Sequence, residues 1–216
     1  DIIKCEIVPY LPLAKRGFQV TVPLEEIVNA VLYKLKTGVQ WYQLPVKSLF
    51  DHEPLSWQSV YYHYRKWCTT GVLKKSWTSI LENNKSKFDL SSVDFDGSHT
   101  SAIRGGEDVE YQGRKKRKTT NALYLSDRQG LPLAISSPVA GNHNDLYNIE
   151  VQFEVVTGTL EQANIPVDGL FLNADAGFDS KEFRLCCEKK EINANVCFNK
   201  RNGDADREEY FDQLLY

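Results

Sequence analysis

Hydrophobic positions recur at two different periods along this chain, and the change falls near Asp89. After Pro23, the residues Leu24, Ile27, Val28, Val31, Leu32 and Leu35 repeat at steps of three and four, which predicts an amphipathic helix stopped by Gly38. Glu25 and Glu26 in its first turn and Lys34 and Lys36 in its last suit the helix dipole. A loop, WYQLP, follows. Ser56 is placed to cap a second helix whose apolar face is Trp57, Val60, Tyr61, Tyr64 and Trp67 or Cys68, ending at Gly71. A third helix, from about Val72 to Leu81, turns Leu73, Trp77 and Ile80 inward. Trp41, Trp57, Trp67 and Trp77 read as core rather than as base-stacking residues. Three short helices with a tight glycine turn suit a helix-turn-helix unit, in which Arg65 and Lys66, with His63, point outward from the second helix. A plain three-helix cap or dimerisation module has the same pattern.

Beyond Asp89 the period drops to two. Ser92 to Asp96 alternates as a strand with carboxylates on one face, and a glycine-rich polar stretch, GSHTSAIRGGEDVEYQG, comes next. Thr119 to Ser126 and Leu131 to Val139 then form a hairpin about the turn Asp127 to Gly130, with Pro132 and Pro138 marking an edge strand. A helix is expected from about Asp145 to Ala163, capped by Asn144 or Asp145, with Leu146, Ile149, Phe153, Val156 and Leu160 inside. Val167 to Ala174 is a near-continuous apolar run, which suits a buried strand delivering Asp175 at its carboxyl end. Asp179 and Glu182 make a capping box for a helix through Lys190, and Ile192 to Phe198 supplies a last strand. The fold class is therefore α/β: an N-terminal helical domain, residues 1–88, followed by a mixed sheet with covering helices, residues 89–216.

Composition narrows the function. No apolar run approaches the roughly 18 residues of a membrane span, and the N-terminus lacks a signal-peptide pattern, so a cytoplasmic location is expected. Five cysteines without a CxxC pair argue against a disulfide framework and a zinc site. The net charge of −3 hides its distribution: residues 1–92 hold 12 Lys and Arg against 8 Asp and Glu, residues 93–150 hold 7 against 8, and residues 151–216 hold 7 against 13. Arg114, Lys115, Lys116, Arg117 and Lys118 are five consecutive cations, a solvated face or a phosphate-binding run.

Asp96 and Asp175 lie on strands that, if adjacent, bring two carboxylates together without any proximity in sequence. Clustered carboxylates repel and call for hard cations, Mg²⁺ or Mn²⁺, and two such ions about 3.5–4 Å apart support phosphodiester chemistry. Asp94 shares the face of Asp96 as a spare ligand or an exposed charge. Asp145 is an N-cap or a loop residue reaching the site. His99 and His143 stand beside the same loops, as accessory groups orienting phosphate or water or as ordinary loop histidines. Arg104 joins the basic run as a candidate DNA contact. The absence of GxGxxG after the first strand disfavours a dinucleotide-binding enzyme.

Three segments, Asp96-Gly97-Ser98-His99-Thr100, Gly141-Asn142-His143-Asn144-Asp145 and Asn173-Ala174-Asp175-Ala176-Gly177-Phe178-Asp179-Ser180, together resemble the DDE transposases of bacterial insertion sequences. The N-terminal stretch TGVQWYQLP, WQSVYYHYRKW and TGVL is similar to the helical domain of that group, so the resemblance covers roughly residues 20 to 216. It implies an RNase H-like domain in which Asp96 and Asp175 hold two Mg²⁺ or Mn²⁺ ions. It also implies double-stranded DNA, transposon end and target, as partner, a homo-oligomeric synaptic complex, and a nucleoid-associated location. Its third acid is a glutamate in a pattern Y-x2-R-x3-E, of which Tyr216 fits the Tyr and the remainder is missing. With no Met either, the chain reads as a piece cut at both boundaries, impaired in catalysis. A non-catalytic DNA-binding remnant is the alternative, and a small-substrate phosphohydrolase is opposed by the basic helical section and basic run.

Overall fold

The computed structural model describes residues 2–12, 20–102, 105–202 and 211–216. The chain divides into two compact units, Asp1–Asn83 and Asn84–Tyr216, a break five residues earlier than the helix-to-strand change in the sequence places it. The reason is local: a single turn of 3-10 helix, Lys85–Lys87, leads into the sheet.

The first unit is helical. Its elements are α1 (Ile2–Glu6), α2 (Leu24–Thr37), α3 (Val46–Leu49), α4 (Trp57–Thr69) and α5 (Val72–Asn84). Gly38 ends α2 in the left-handed region at φ 70°, donating its N–H to the Lys34 carbonyl. The Ser56 hydroxyl caps α4 by accepting from Ser59 N at 3.3 Å, a bond whose loss costs about 1 kcal/mol. Ile27, Val28, Ala30 and Val31 of α2 bury against Val60 and Trp67 of α4, with Leu44 and Phe50 between the helices. Two expectations fail here. Leu32 and Leu35 are exposed, because the core stripe of α2 rotates toward Ala30 and Glu26 at its centre. The tryptophans serve the core as expected: Trp67 is fully buried in it, and Trp41 and Trp57 are half-buried and pack against it, Trp41 on the rings of Tyr61 and Tyr64. His63 does not point into solvent: it is half-buried between Tyr62 and Trp67, and burial lowers its pKa, with Lys66 adding to the shift.

The second unit is a seven-stranded mixed sheet among the described residues. Its strands are β1 (Val93–Ser101), β2 (Glu110–Gln112), β3 (Arg117–Asp127), β4 (Pro132–Ile135), β5 (Val139–Ala140), β6 (Phe171–Ala174) and β7 (Asn193–Val196). The path is β2-β3-β1-β6-β7, with β4 and β5 also paired to β3. β1 runs antiparallel to β3 and parallel to β6, which is parallel to β7. Helices α6 (Ile149–Gln162) and α7 (Lys181–Lys189) cover one face. There Phe95 of β1 meets Phe153, Phe178 and Phe183, its ring stacked on Phe183 at 5.4 Å. Each such ring contributes about 1.5–3 kcal/mol by burial.

The strand boundaries differ from expectation. β1 continues through the glycine-rich stretch to Ser101, since Gly97 to Thr100 pair in register with Leu123 to Thr120. β3 begins inside the basic run, at Arg117, and Glu110–Gln112 forms an unforeseen strand beside it. α6 begins at Ile149, so neither Asn144 nor Asp145 caps it. Ser180 rather than Asp179 caps α7, accepting from Phe183 N at 3.1 Å. All five cysteines are free thiols, and Cys187, pushed up to about 12 by burial, is an inert helix residue. Among the described residues no helix is long and apolar enough to cross a membrane.

Candidate active site

The acidic residues converge because β1 and β6 are parallel neighbours. Phe95 pairs with Ala174, so Asp96, within β1, and Asp175, just past the carboxyl end of β6, each stand one residue beyond the last paired position, side by side where the β1–β6 pairing stops. A cavity of about 320 Å³ opens there, lined by Asp94, Phe95, Asp96, Asn173, Ala174, Asp175 and Tyr216. Asp96 receives the Gly97 N–H on Oδ1 at 2.7 Å, and Asp175 receives the Gly177 N–H on Oδ1 at 2.8 Å. Burial holds the Asp96 carboxyl above the usual range, and the charges of Asp175 and Asp145 push it the same way; the Gly97 N–H and Lys115 oppose. The cavity thus gathers negative charge that the fold does not neutralise.

An amide ladder lies one pleat below. Asn195 donates to Asn173 Oδ1 at 2.8 Å, and Asn173 donates to Asp94 Oδ1 at 3.1 Å. The same two asparagines hold the segment 211–216: Asn173 donates to the Leu215 carbonyl, Asn195 donates to the Asp212 carbonyl, and Asp212 N–H donates to Asn195 Oδ1. Tyr216 is thereby set beside the acids, where burial, then Asp175, Cys197, Asp96 and Asp94, push its phenol up. Motif and spacing do not single out Asn173 and Asn195. A signal is nonetheless present: each interrupts an apolar strand at a buried position, where an amide needs a partner.

The other sequence candidates divide. The basic run spans the turn of the β2–β3 hairpin and the first two residues of β3, and Gln112 ties the hairpin to the loop before Asp145 by donating to the Gly141 carbonyl at 2.9 Å. Lys115 lies close enough to lower both Asp96 and His99, and Arg114 also acts on His99. Arg117 bonds Ser101 Oγ at 3.4 Å, while Lys116 is exposed in the turn and Lys118 is exposed opposite Tyr111. His99 shares a hydrogen bond with Thr119 Oγ1 at 3.1 Å; burial, then Lys115, lower its pKa. His143 is instead stacked on Tyr147 at 3.5 Å. Arg65 is exposed and Lys66 half-buried on α4, in the other unit. Arg104 lies outside the described residues. Asp179 is structural, buried against Arg184 at 2.9 Å and accepting from Asn199 N at 2.8 Å.

Two carboxylates with oxygens turned to one cavity fit a hard divalent ion, which is bound through one or two carboxylates with water and phosphate completing its shell. Among the described residues, however, no three His, Cys, Asp or Glu side chains group closely enough to hold a metal ion by themselves.

Fold and site together define an α/β protein with a separate helical unit and an acidic pocket at the ends of parallel strands. Residues 5–77 match the sequence model of the family described as "Putative transposase of IS4/5 family (DUF4096)". Three solved structures are similar to this chain at low identity. The Mos1 transposase paired-end complex with left transposon end is 12% identical over 84% of this chain, with a TM-score of 0.35. The pre-cleavage Mos1 transpososome is 11% identical over 84%, at 0.33. The piggyBac transposase synaptic complex with hairpin DNA is 11% identical over the whole chain, at 0.42. The match spans 61% of each Mos1 chain and 51% of the piggyBac chain. No curated protein matches this sequence.

Proposed function

We propose that this chain belongs to a DDE transposase of the insertion-sequence type, binding double-stranded DNA and supporting metal-dependent cleavage and transfer of a DNA strand. The observation that carries the reading is the placement of Asp96 and Asp175 beside each other on adjacent parallel strands, lining one cavity. Asp96 and Asp175 hold the cation, Mg²⁺ or Mn²⁺. When bound, the cation supplies Lewis acidity to a phosphodiester and lowers the charge of the pocket. The residues of the chain do the remainder. Arg114 to Lys118 draw the DNA backbone to the end of the sheet, and His99, whose pKa burial and then Lys115 lower, orients a phosphate or water beside it. Arg65 and Lys66, with Arg104, add backbone contacts, and assembly with a second copy brings two DNA ends together. The match of residues 5–77 to a transposase family supports this reading over a small-substrate phosphohydrolase.

The test combines binding with cleavage. Mn²⁺ affinity is measured for the wild type, Asp96→Asn and Asp175→Asn, and nicking of supercoiled plasmid is followed with Mn²⁺ or Mg²⁺. The expected result is Mn²⁺ binding that is lost in both variants while duplex DNA binding persists, with nicking weak in the wild type and absent in both variants. Metal binding unchanged in both variants overturns the assignment. The lack of a closed three-acid cluster among the described residues favours one second reading, a DNA-binding remnant, which is supported if DNA and Mn²⁺ bind and no strand is cut.

A further inference from the structure

Helix α4 gives one face to the core of the helical unit and turns the other outward. Val60 and Trp67 are buried, and Trp57 and Tyr64 pack against the same core. On the opposite side Gln58, Tyr62, Arg65 and Thr69 are all exposed. Their spacing of four, three and four residues sets them in one row along the helix, about 16 Å long at a rise of about 1.5 Å per residue. Among the described residues neither the Gln58 amide nor the Arg65 guanidinium makes a hydrogen bond or an ion pair. Tyr62 is 62% exposed, its ring held edge-on to His63 at 5.7 Å.

The surroundings of this row are cationic. From Pro54 to Leu81 the sequence holds Arg65, Lys66, Lys74 and Lys75 and not one Asp or Glu. Lys74 and Lys75 are exposed in the first turn of α5, which follows α4 across Gly71 at φ 68°. α2 carries Glu25 and Glu26 in its first turn, whereas α4 and α5 carry no acid there, so the positive ends of their dipoles are not offset. A polyanion gains from such a face at every contact, while a protein surface of mixed charge does not. Beside the row a hollow of about 360 Å³ opens between Gln58, Ser59 and Tyr62 of α4 and Val20, Thr21 and Leu55. It joins amide and hydroxyl groups to the apolar side chains of Val20 and Leu55. Base edges in the major groove of DNA present the matching mixture, donors and acceptors next to the thymine methyl.

We propose that the exposed face of α4 reads base pairs in the major groove of duplex DNA. Gln58 meets the N6 and N7 edge of an adenine, the Tyr62 ring lies against a thymine methyl, and Arg65, Lys66, Lys74 and Lys75 hold the flanking phosphates. The groove, about 12 Å wide, admits one α-helix, and a helix lying in it contacts bases with residues near its amino terminus, as Gln58 and Tyr62 are in α4. Phosphate contacts fix the register and base contacts give the selectivity. The inference rests on the DNA-binding reading above and adds sequence selectivity to the helical unit; it needs nothing from the acidic pocket.

The test selects duplexes from a pool with a randomised centre, using the full chain in EDTA so that no metal chemistry contributes, for the wild type, Gln58→Ala, Gln58→Glu and Lys74→Ala. The expected result is a preferred sequence enriched by the wild type. Gln58→Ala loses the preference for adenine at one position, about 5- to 150-fold, and keeps the rest of that sequence. Gln58→Glu moves the preference at the same position to cytosine, whose N4 amine donates to a carboxylate, a change that a merely structural residue does not produce. Lys74→Ala weakens binding to all duplexes alike and lowers the salt slope by about 0.9. A wild type that binds duplexes but enriches no sequence overturns this inference and leaves the DNA-binding reading standing. The same enriched sequence in both Gln58 variants, each with the wild-type circular dichroism, overturns the assignment to α4. A wild type that binds no duplex overturns the DNA-binding reading and this inference with it. If the Gln58 variants lack the wild-type circular dichroism, Tyr62→Ala, expected to lose the preference for thymine at its own position, is read by the same criteria.

Discussion

Aspartates of one chemistry do three jobs in this chain, and their partners decide which. Asp127 is fully buried and accepts from Asp89 N, Gln129 N and Leu131 N, so its charge is spent on closing the β3–β4 turn. Asp179 is spent on Arg184 and Asn199. Asp96 accepts the Gly97 N–H and has a raised pKa, caused first by burial and then by its acidic neighbours, with the Gly97 N–H and Lys115 opposing. A carboxyl whose native pKa is raised binds its proton more tightly folded than unfolded, so above the ordinary carboxylate range its ionised form opposes folding. Asp96→Asn is therefore expected to raise the melting temperature at pH 7 in a chelator, with the gain vanishing as pH falls below the ordinary carboxylate range. Thermal scans at both pH values check this; equal stability of variant and wild type at pH 7 refutes it. On the proposed role of Asp96 as a metal ligand, the same substitution is expected to remove the metal response, the usual exchange of stability for function at a charged site.

The β2–β3 hairpin joins charge to position at the scale of the element. Its basic turn is tied through Gln112 to the Gly141 loop, and Gly141 N–H donates to the Thr119 carbonyl at 3.0 Å, next to the hydroxyl that His99 bonds. The backbone of the turn is thus anchored, with Lys115 near enough to Asp96 to lower its pKa. Reversing Arg114, Lys115 and Lys116 to Glu, and leaving Arg117 on Ser101, is expected to weaken duplex DNA binding. It also flattens the slope of log K against log salt by about 0.9 for each phosphate no longer neutralised. Fluorescence anisotropy across a salt series measures both, and unchanged affinity and slope would exclude the hairpin from the DNA surface. Sequence shows the run of charge but not this anchoring. Its five cations straddle a turn and a strand, and nothing local to them reveals that the stretch before them is also strand, or that Gln112 and Gly141, 29 residues apart, meet.

Across the whole molecule, the cation-rich N-terminal section and the acidic final third belong to different compact units, one helical and one built on the sheet. Each has its own buried core, centred on Ile27, Val60 and Trp67 in one and on Phe95, Phe153 and Phe183 in the other. Expressed separately, residues 84–216 are expected to unfold cooperatively and to keep the Mn²⁺ affinity of the full chain, and residues 1–83 to retain DNA binding without metal. Calorimetry and the Mn²⁺ titration test this. Loss of Mn²⁺ binding by a folded 84–216 unit would show that the pocket needs the helical unit.

The sequence by itself determined the class of the fold and the order of its main elements, and it offered Asp96 and Asp175 as candidates, because hydrophobic period, glycine stops and cap residues act over one turn or one strand. It placed α2, α4 and the β6–Asp175 end closely for that reason, and it erred where local signals were shared by competing states. Gly97 reads as a loop because glycine in a strand has no local explanation; its explanation is Asp145, 48 positions away. Only the tertiary structure decided that β1 and β6 are parallel neighbours, that Asp145 leaves its expected place as a cap, and that Asn121, Asn173 and Asn195 hold the carboxylates and the segment 211–216. Those are pairings between residues far apart in the chain, fixed by strand register and by the need of each buried polar group for a partner, and neither is written in any single stretch of sequence.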